Sequence, residues 1–198
     1  YAYGPSGRLD ELTTPEGETR FEYDADGRVV ATVNTARERS SFEYDACGRL
    51  LRARVAGRGT SEFRYDACGR VAYSRDILTG VRYFRYDAAG NLISVRNGLG
   101  GITRYEYDVR NRLVRVVDPG GGITERAYDS VDNLLSVTDP LGRSVSVAYD
   151  ELGNPLSRTS ADGTVTSFEH ADGMVSRARI DGREAFRSEL DYEDRTLT

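Results

Sequence analysis

The sequence predicts an all-β chain of tandem antiparallel β-hairpins, one per 21 residues, laid side by side in a single curved, spiralling sheet. Three observations carry this. The dipeptide Tyr-Asp recurs seven times at steps of 21 residues. A Gly, or a residue that shares its backbone freedom, follows each Asp at a spacing of three. Polar and apolar residues alternate with period two ahead of the Tyr.

The hairpin tip comes first. The pairs are Tyr23-Asp24, Tyr44-Asp45, Tyr65-Asp66, Tyr86-Asp87, Tyr107-Asp108, Tyr128-Asp129 and Tyr149-Asp150. Tyr3 precedes them, His170 takes the next Tyr position and Tyr192 follows, so residues 1–198 read as about ten repeats. The unit is Tyr-Asp-x-x-Gly-(Arg or Asn)-(Leu or Val). A type I turn favours Asp at its first position and Gly at its fourth, and the Asp side chain caps backbone N–H groups within it. Gly27, Gly48, Gly69, Gly90 and Gly153 then take positive φ, as in a hairpin closed by a G1 bulge. Two repeats carry Asn111 and Asp132 instead, and Asn and Asp are the side chains that enter the left-handed region most readily.

Strands flank the tip. Two residues before the Tyr stand Phe21, Phe42, Phe63, Phe84, Tyr105, Val147 and Phe168, with Arg126 breaking the series. That spacing puts each on the same strand face as the following Tyr, or as His170 in the case of Phe168, and the intervening Glu22, Glu43, Arg64, Arg85 and Glu106 on the other. After the tip come β-rich segments such as "NLISVRN" and "RLVRVVD". A second turn closes each repeat, at Thr14-Pro15-Glu16-Gly17, Asn97-Gly98, Asp118-Pro119-Gly120-Gly121, Asp139-Pro140-Leu141-Gly142, Asp162-Gly163 and Asp181-Gly182. Ten such units give about 20 strands, and a sheet that long curls. With no helices to cover it, the Tyr and Phe ladders are expected to be buried within the curve of the sheet itself.

Composition narrows the function. A net charge of −5 argues against a nucleic-acid surface. No run of 18 apolar residues is present to insert in a membrane. All 27 basic residues are Arg; codon usage in a GC-rich genome accounts for this, and selection for bidentate or stacking contacts is a second reading. The first ten residues carry no signal-peptide pattern and no initiator Met, which reads as an excerpt of a longer repeat region.

The candidate sites point to structure. Cys47 and Cys68 share one phase of the repeat, so side-by-side hairpins place them about 9.6 Å apart, too far for a disulfide, which needs about 7 Å. His170, the only His, is an aromatic replacement for a ladder Tyr. The Asp ladder is too widely spaced to share a calcium ion and is expected to cap turns. No metal, cofactor or catalytic motif is legible, so the expected chain is not an enzyme.

"YDAAGNL", "YDACGRL" and "DPLG" resemble the YD repeats of bacterial Rhs (rearrangement hotspot) proteins. Related repeats occur in wall-associated protein A, the C components of Tc toxins and teneurins. The resemblance covers nearly all of residues 1–198. It implies repeats that wind into a hollow β-shell, which in bacterial members encloses a C-terminal toxin and in teneurins belongs to an adhesion ectodomain. It further implies a secreted or cell-surface bacterial protein whose partners are adjoining repeats and a C-terminal effector. The repeats of the family have been associated with carbohydrate, so a glycan- or protein-binding adhesion module is the alternative. The chain has far fewer repeats than a closed shell uses, and it lacks the core segment with its self-cleavage motif.

Overall fold

A computed structural model describes residues 1–171 and 174–187. Among these residues there are nineteen strands and no helix, from Ala2–Tyr3 to Arg183–Arg187. The strand pairs are antiparallel and join neighbours in sequence, as short connections dictate. The last expected repeat, centred on Tyr192, lies outside the described residues, as does the tip that follows His170.

The chain divides into two compact units. The first comprises Tyr1–Asp87 with Ser94–Ile102; the second comprises Ala88–Ile93 with Thr103–Thr198. In the first unit the hairpins are regular. Strand Gly17–Tyr23 pairs with Val29–Asn34, Arg39–Tyr44 with Leu50–Val55, and Gly59–Tyr65 with Val71–Asp76. The second unit repeats the pattern with Ile123–Tyr128 against Leu134–Thr138 and Ser144–Tyr149 against Pro155–Thr159.

Six ladder tyrosines sit at a bulge. Register shifts fall between Glu22 and Tyr23, Glu43 and Tyr44, and Arg64 and Tyr65 in the first unit. They recur between Glu106 and Tyr107, Ala127 and Tyr128, and Ala148 and Tyr149 in the second. The cause lies at the tip. The fourth turn residue has positive φ, 80° at Gly48 and 82° at Gly69, and the non-Gly substitutes match it with 61° at Asn111 and 75° at Asp132. The Gly48 N–H donates to the Asp45 carbonyl at 2.9 Å, and the Asp45 N–H donates to the Arg49 carbonyl at 2.9 Å. One residue more on that strand than on its partner makes the bulge and sharpens the local twist.

The second turns differ in detail from the sequence reading. Asn97 and Gly98 open a four-residue turn that closes on Gly100, whose φ is 88° and whose N–H donates to the Asn97 carbonyl. Gly98 itself takes no positive φ. Likewise Asp162-Gly163 is the end of a turn that begins at Ser160. Asp181 and Gly182, at φ 47° and 79°, form a two-residue turn between the paired Ile180 and Arg183, the mirror-image geometry that suits hairpins.

The expected burial of the aromatic ladders is corrected. Among the described residues only Ala31 and Ala53 are buried. Phe21, Phe42, Phe63 and Phe84 are half-buried, and so are the ladder tyrosines. A single-layer sheet has no second layer to exclude water from an aromatic side chain. The intervening Glu22, Glu43, Arg64, Arg85 and Glu106 are exposed, as the alternation predicts.

Candidate functional site

The hairpin tips build a seam between successive repeats. It begins with the Asp of each tip. Oδ1 of Asp45 accepts the backbone N–H groups of Cys47 and Arg49, both at 2.9 Å, which is the expected cap. Oδ2 accepts Nε of Arg49 at 2.7 Å. The same pairing holds Arg28 to Asp24, Arg70 to Asp66 and Arg112 to Asp108, each at 2.7 Å. With both oxygens engaged, the carboxylate fixes the arginine's direction as well as the turn.

The fixed arginine then reaches the next repeat. Its guanidinium carbon stands 5.4 Å from the ring centroid for Arg28 over Tyr44, 4.7 Å for Arg49 over Tyr65, 4.6 Å for Arg70 over Tyr86 and 4.8 Å for Arg112 over Tyr128. These are cation–π distances. Nη1 of Arg70 donates to the Asp87 carbonyl at 3.2 Å, and Nη1 of Arg112 to the Asp129 carbonyl at 2.7 Å. One side chain therefore closes its own turn and holds the next.

The tyrosine answers in the opposite direction. The Tyr44 hydroxyl donates to the Val29 carbonyl at 2.8 Å, Tyr65 to Leu50 at 2.8 Å and Tyr86 to Val71 at 3.0 Å. Tyr107, Tyr128 and Tyr149 donate to Leu92, Leu113 and Leu134 at 3.0, 3.1 and 3.1 Å, and Tyr23 to Leu9 at 2.7 Å. The acceptor is each time the residue after the Arg or Asn of the preceding repeat. A half-buried phenol satisfies its O–H on a carbonyl just beyond the bulge.

The departures from the motif keep single bonds of the seam. Where Asn replaces Arg, Nδ2 of Asn133 donates to Asp129 at 2.8 Å and Nδ2 of Asn154 to Asp150 at 3.0 Å. Asp132, in a Gly position, turns its carboxylate to Arg112 of the preceding repeat at 2.8 Å. Asn111 accepts from Nδ2 of Asn91 at 2.8 Å in the same way. His170 keeps the bulged position, paired with Val175, and its charge helps hold Asp150 in the ionised form.

The seam shifts the acids downward. Asp24, Asp45, Asp66 and Asp108 lie below the ordinary carboxylate range. The main cause is the N–H of the arginine four residues on; partial loss of water opposes it, and that arginine's guanidinium adds to the lowering. Asp150 is lowered first by the Asn154 side chain. These are hydrogen bonds to the charged form, which favour it.

Arg28, Arg49, Arg70 and Arg112 carry the seam, and their role was missed in the sequence. The signal was the fixed Arg or Asn after every Gly; its contact lies sixteen residues on, beyond the reach of turn or strand rules. Cys47 and Cys68 are exposed free thiols at the second inner position of their tips. Among the described residues no group of three His, Cys, Asp or Glu side chains is arranged to hold a metal ion.

A profile of the RHS Repeat family matches residues 3–39, 23–60, 86–123 and 128–165. No curated protein matches the sequence. Solved structures share the fold, among them three from Tc toxins. The TcdB2-TccC3-Cdc42 crystal structure has a TM-score of 0.76 at 16% identity, over 97% of this chain and 13% of that one. TcdB2-TccC3 has 0.70 at 18%, over 93% and 11%. A Tc holotoxin pore of Photorhabdus luminescens carrying a TccC3 mutation has 0.59 at 14%, over 99% and 13%. The chain thus spans 11% to 13% of the length of these chains.

Proposed function

The chain belongs to the RHS repeat family, and from that premise we propose that residues 1–198 are a stretch of repeat wall in a hollow β-shell that encloses a C-terminal effector polypeptide of its parent protein. The observation that carries this reading is the seam. The Tyr, the Asp and the Arg or Asn that define the repeat are all bonded to their own tip or to the adjacent one. A motif spent on joining hairpin to hairpin is the signature of a wall, not of a reaction centre. The fold shared with chains from Tc toxin structures supports the same placement. On this reading the parent is a secreted or cell-surface bacterial protein, and the partners of the segment are further repeats and the enclosed polypeptide.

Limited proteolysis of the full-length protein tests it. The C-terminal polypeptide should resist cleavage in the intact protein and become cleavable when the repeats are unfolded or when residues 45–55, half a period, are deleted. Equal cleavage in both would remove the container role and favour a surface-adhesion module.

A further inference from the structure

One region of the polar sheet face has an uncompensated positive charge. Strands Leu50–Val55, Gly59–Tyr65, Val71–Asp76 and Gly80–Tyr86 bring Arg52, Arg54, Arg64, Arg75 and Arg85 to that face against one carboxylate, Glu62. The chain as a whole carries −5, so this is a local reversal of sign. At equivalent positions of other repeats ion pairs form. Glu22 pairs with Arg39, Arg115 lies between Glu106 and Glu125, and Arg177 between Glu169 and Glu184. Here Glu62 is engaged by Arg52 at 3.5 Å, which also pairs with Glu43. Arg54, Arg64, Arg75 and Arg85 are exposed and make no ion pair with a described residue.

The region has two kinds of row. One is a cleft of about 490 Å³ lined by Arg52, Arg54, Gly59, Thr60, Glu62, Arg75, Asp76 and Ile77, in which the Asp76 carboxylate is taken up by the Ser61 hydroxyl and the Leu78 and Thr79 N–H groups. The other crosses the strands beside it. Arg64 stands 5.0 Å from the Tyr73 ring, Tyr73 meets Tyr83 edge-on at 5.4 Å, and Arg96 stands 4.3 Å from the Tyr83 ring. Along each strand a guanidinium follows an aromatic ring by two residues, Tyr73 to Arg75 and Tyr83 to Arg85. That interval is about 6.8 Å, the repeat of same-side side chains in any extended chain. A polypeptide lying along either strand therefore meets one aromatic and one basic position at its own period.

We propose that this face docks an extended acidic polypeptide whose same-side residues alternate carboxylate and aromatic side chains. Guanidiniums without an ion pair donate to carboxylates in the bidentate geometry that suits them, and the Tyr73–Tyr83 row receives the rings between. The docking surface stands on charge and spacing alone and does not depend on the container reading.

The probe is a fluorescent peptide, Glu-Ser-Tyr-Ser-Glu-Ser-Tyr-Ser, titrated with the purified chain by anisotropy. Saturable binding is expected, weakened about tenfold when Arg54→Gln and Arg75→Gln are combined. Replacing both Glu of the peptide by Gln should weaken it as much, and raising salt from about 0.05 to 0.5 M several-fold. Tyr83→Leu, which alters an exposed ring and no charge, should weaken binding while leaving the salt dependence unchanged. Absence of binding, equal binding of the Gln peptide, or no effect of the double variant overturns the proposal. So does stronger binding of a sulfated polysaccharide than of the peptide, which would assign the face to sulfate.

Discussion

At Gly48 the backbone stands at φ 80°, with the nearest heavy atom to an added Cβ at 3.8 Å. Space is available there; conformation is what excludes other side chains. Gly48→Val is therefore expected to cost about 1–3 kcal/mol from strain alone, while Ala46→Val, exposed in the same tip, stays within about 0.5 kcal/mol. Equal shifts in urea midpoint would refute the bulge geometry. The positions that lack Gly show how much of this was legible. Asn111 and Asp132 were expected at positive φ from their chemistry, and they are there. What could not be read is that both also bond to the repeat before them, at Asn91 and Arg112. Asn111→Gly therefore trades backbone relief against an exposed hydrogen bond and should lie within about 0.5 kcal/mol of the parent.

At the scale of the hairpin, strands and tips were legible because turn chemistry and period-two alternation act within a few residues. The seam was not, because its partners are fifteen and sixteen residues apart and meet only after neighbouring hairpins have paired. The tyrosine was read as packing, yet its hydroxyl bonds to a carbonyl in the preceding repeat. Tyr65→Phe keeps the ring under Arg49 and forfeits the 2.8 Å bond to Leu50, so a loss of about 1 kcal/mol is expected. A Tyr65→Phe midpoint equal to the parent's would mean that the hydroxyl adds nothing to the seam. Acid should weaken all the seams together. The folded pKa values of Asp24, Asp45, Asp66, Asp108 and Asp150 lie below their unfolded value. Their contribution is thus complete above the unfolded pKa, about 3.9, and is lost as pH falls through the lower folded values. Urea midpoints measured from pH 7 to pH 2.5 should be level from this cause down to about pH 5 and fall below about pH 4. Asp45→Asn combined with Asp66→Asn should shrink the acid fall; an undiminished fall would place its origin outside the tips.

For the whole molecule, the consequence of the seam is modularity. Within each unit strand pairings join sequence neighbours, and the bonds of the described tips run to the one before and the one after, so stability accumulates repeat by repeat. A deletion of one full period should then be absorbed. Removing residues 45–65 joins Tyr44 to Asp66 and recreates an intact tip. Tyr44 still bonds to Val29, Arg70 still lies over Tyr86, and the alternation of faces is unbroken. Removing only 45–55 deletes the same tip and one strand. It leaves Tyr44 followed by Ala56, with two adjacent strands running in the wrong sense to pair through the connection that remains. The full-period deletion should therefore keep a β-type circular dichroism spectrum and a cooperative melt a few degrees from the parent's, whereas the half-period deletion should lose cooperativity. A repeat is a unit of structure here only if its boundaries matter more than its length. If the longer deletion proves as disruptive as the shorter, stability is distributed beyond neighbouring repeats, and the tips are not what joins the sheet.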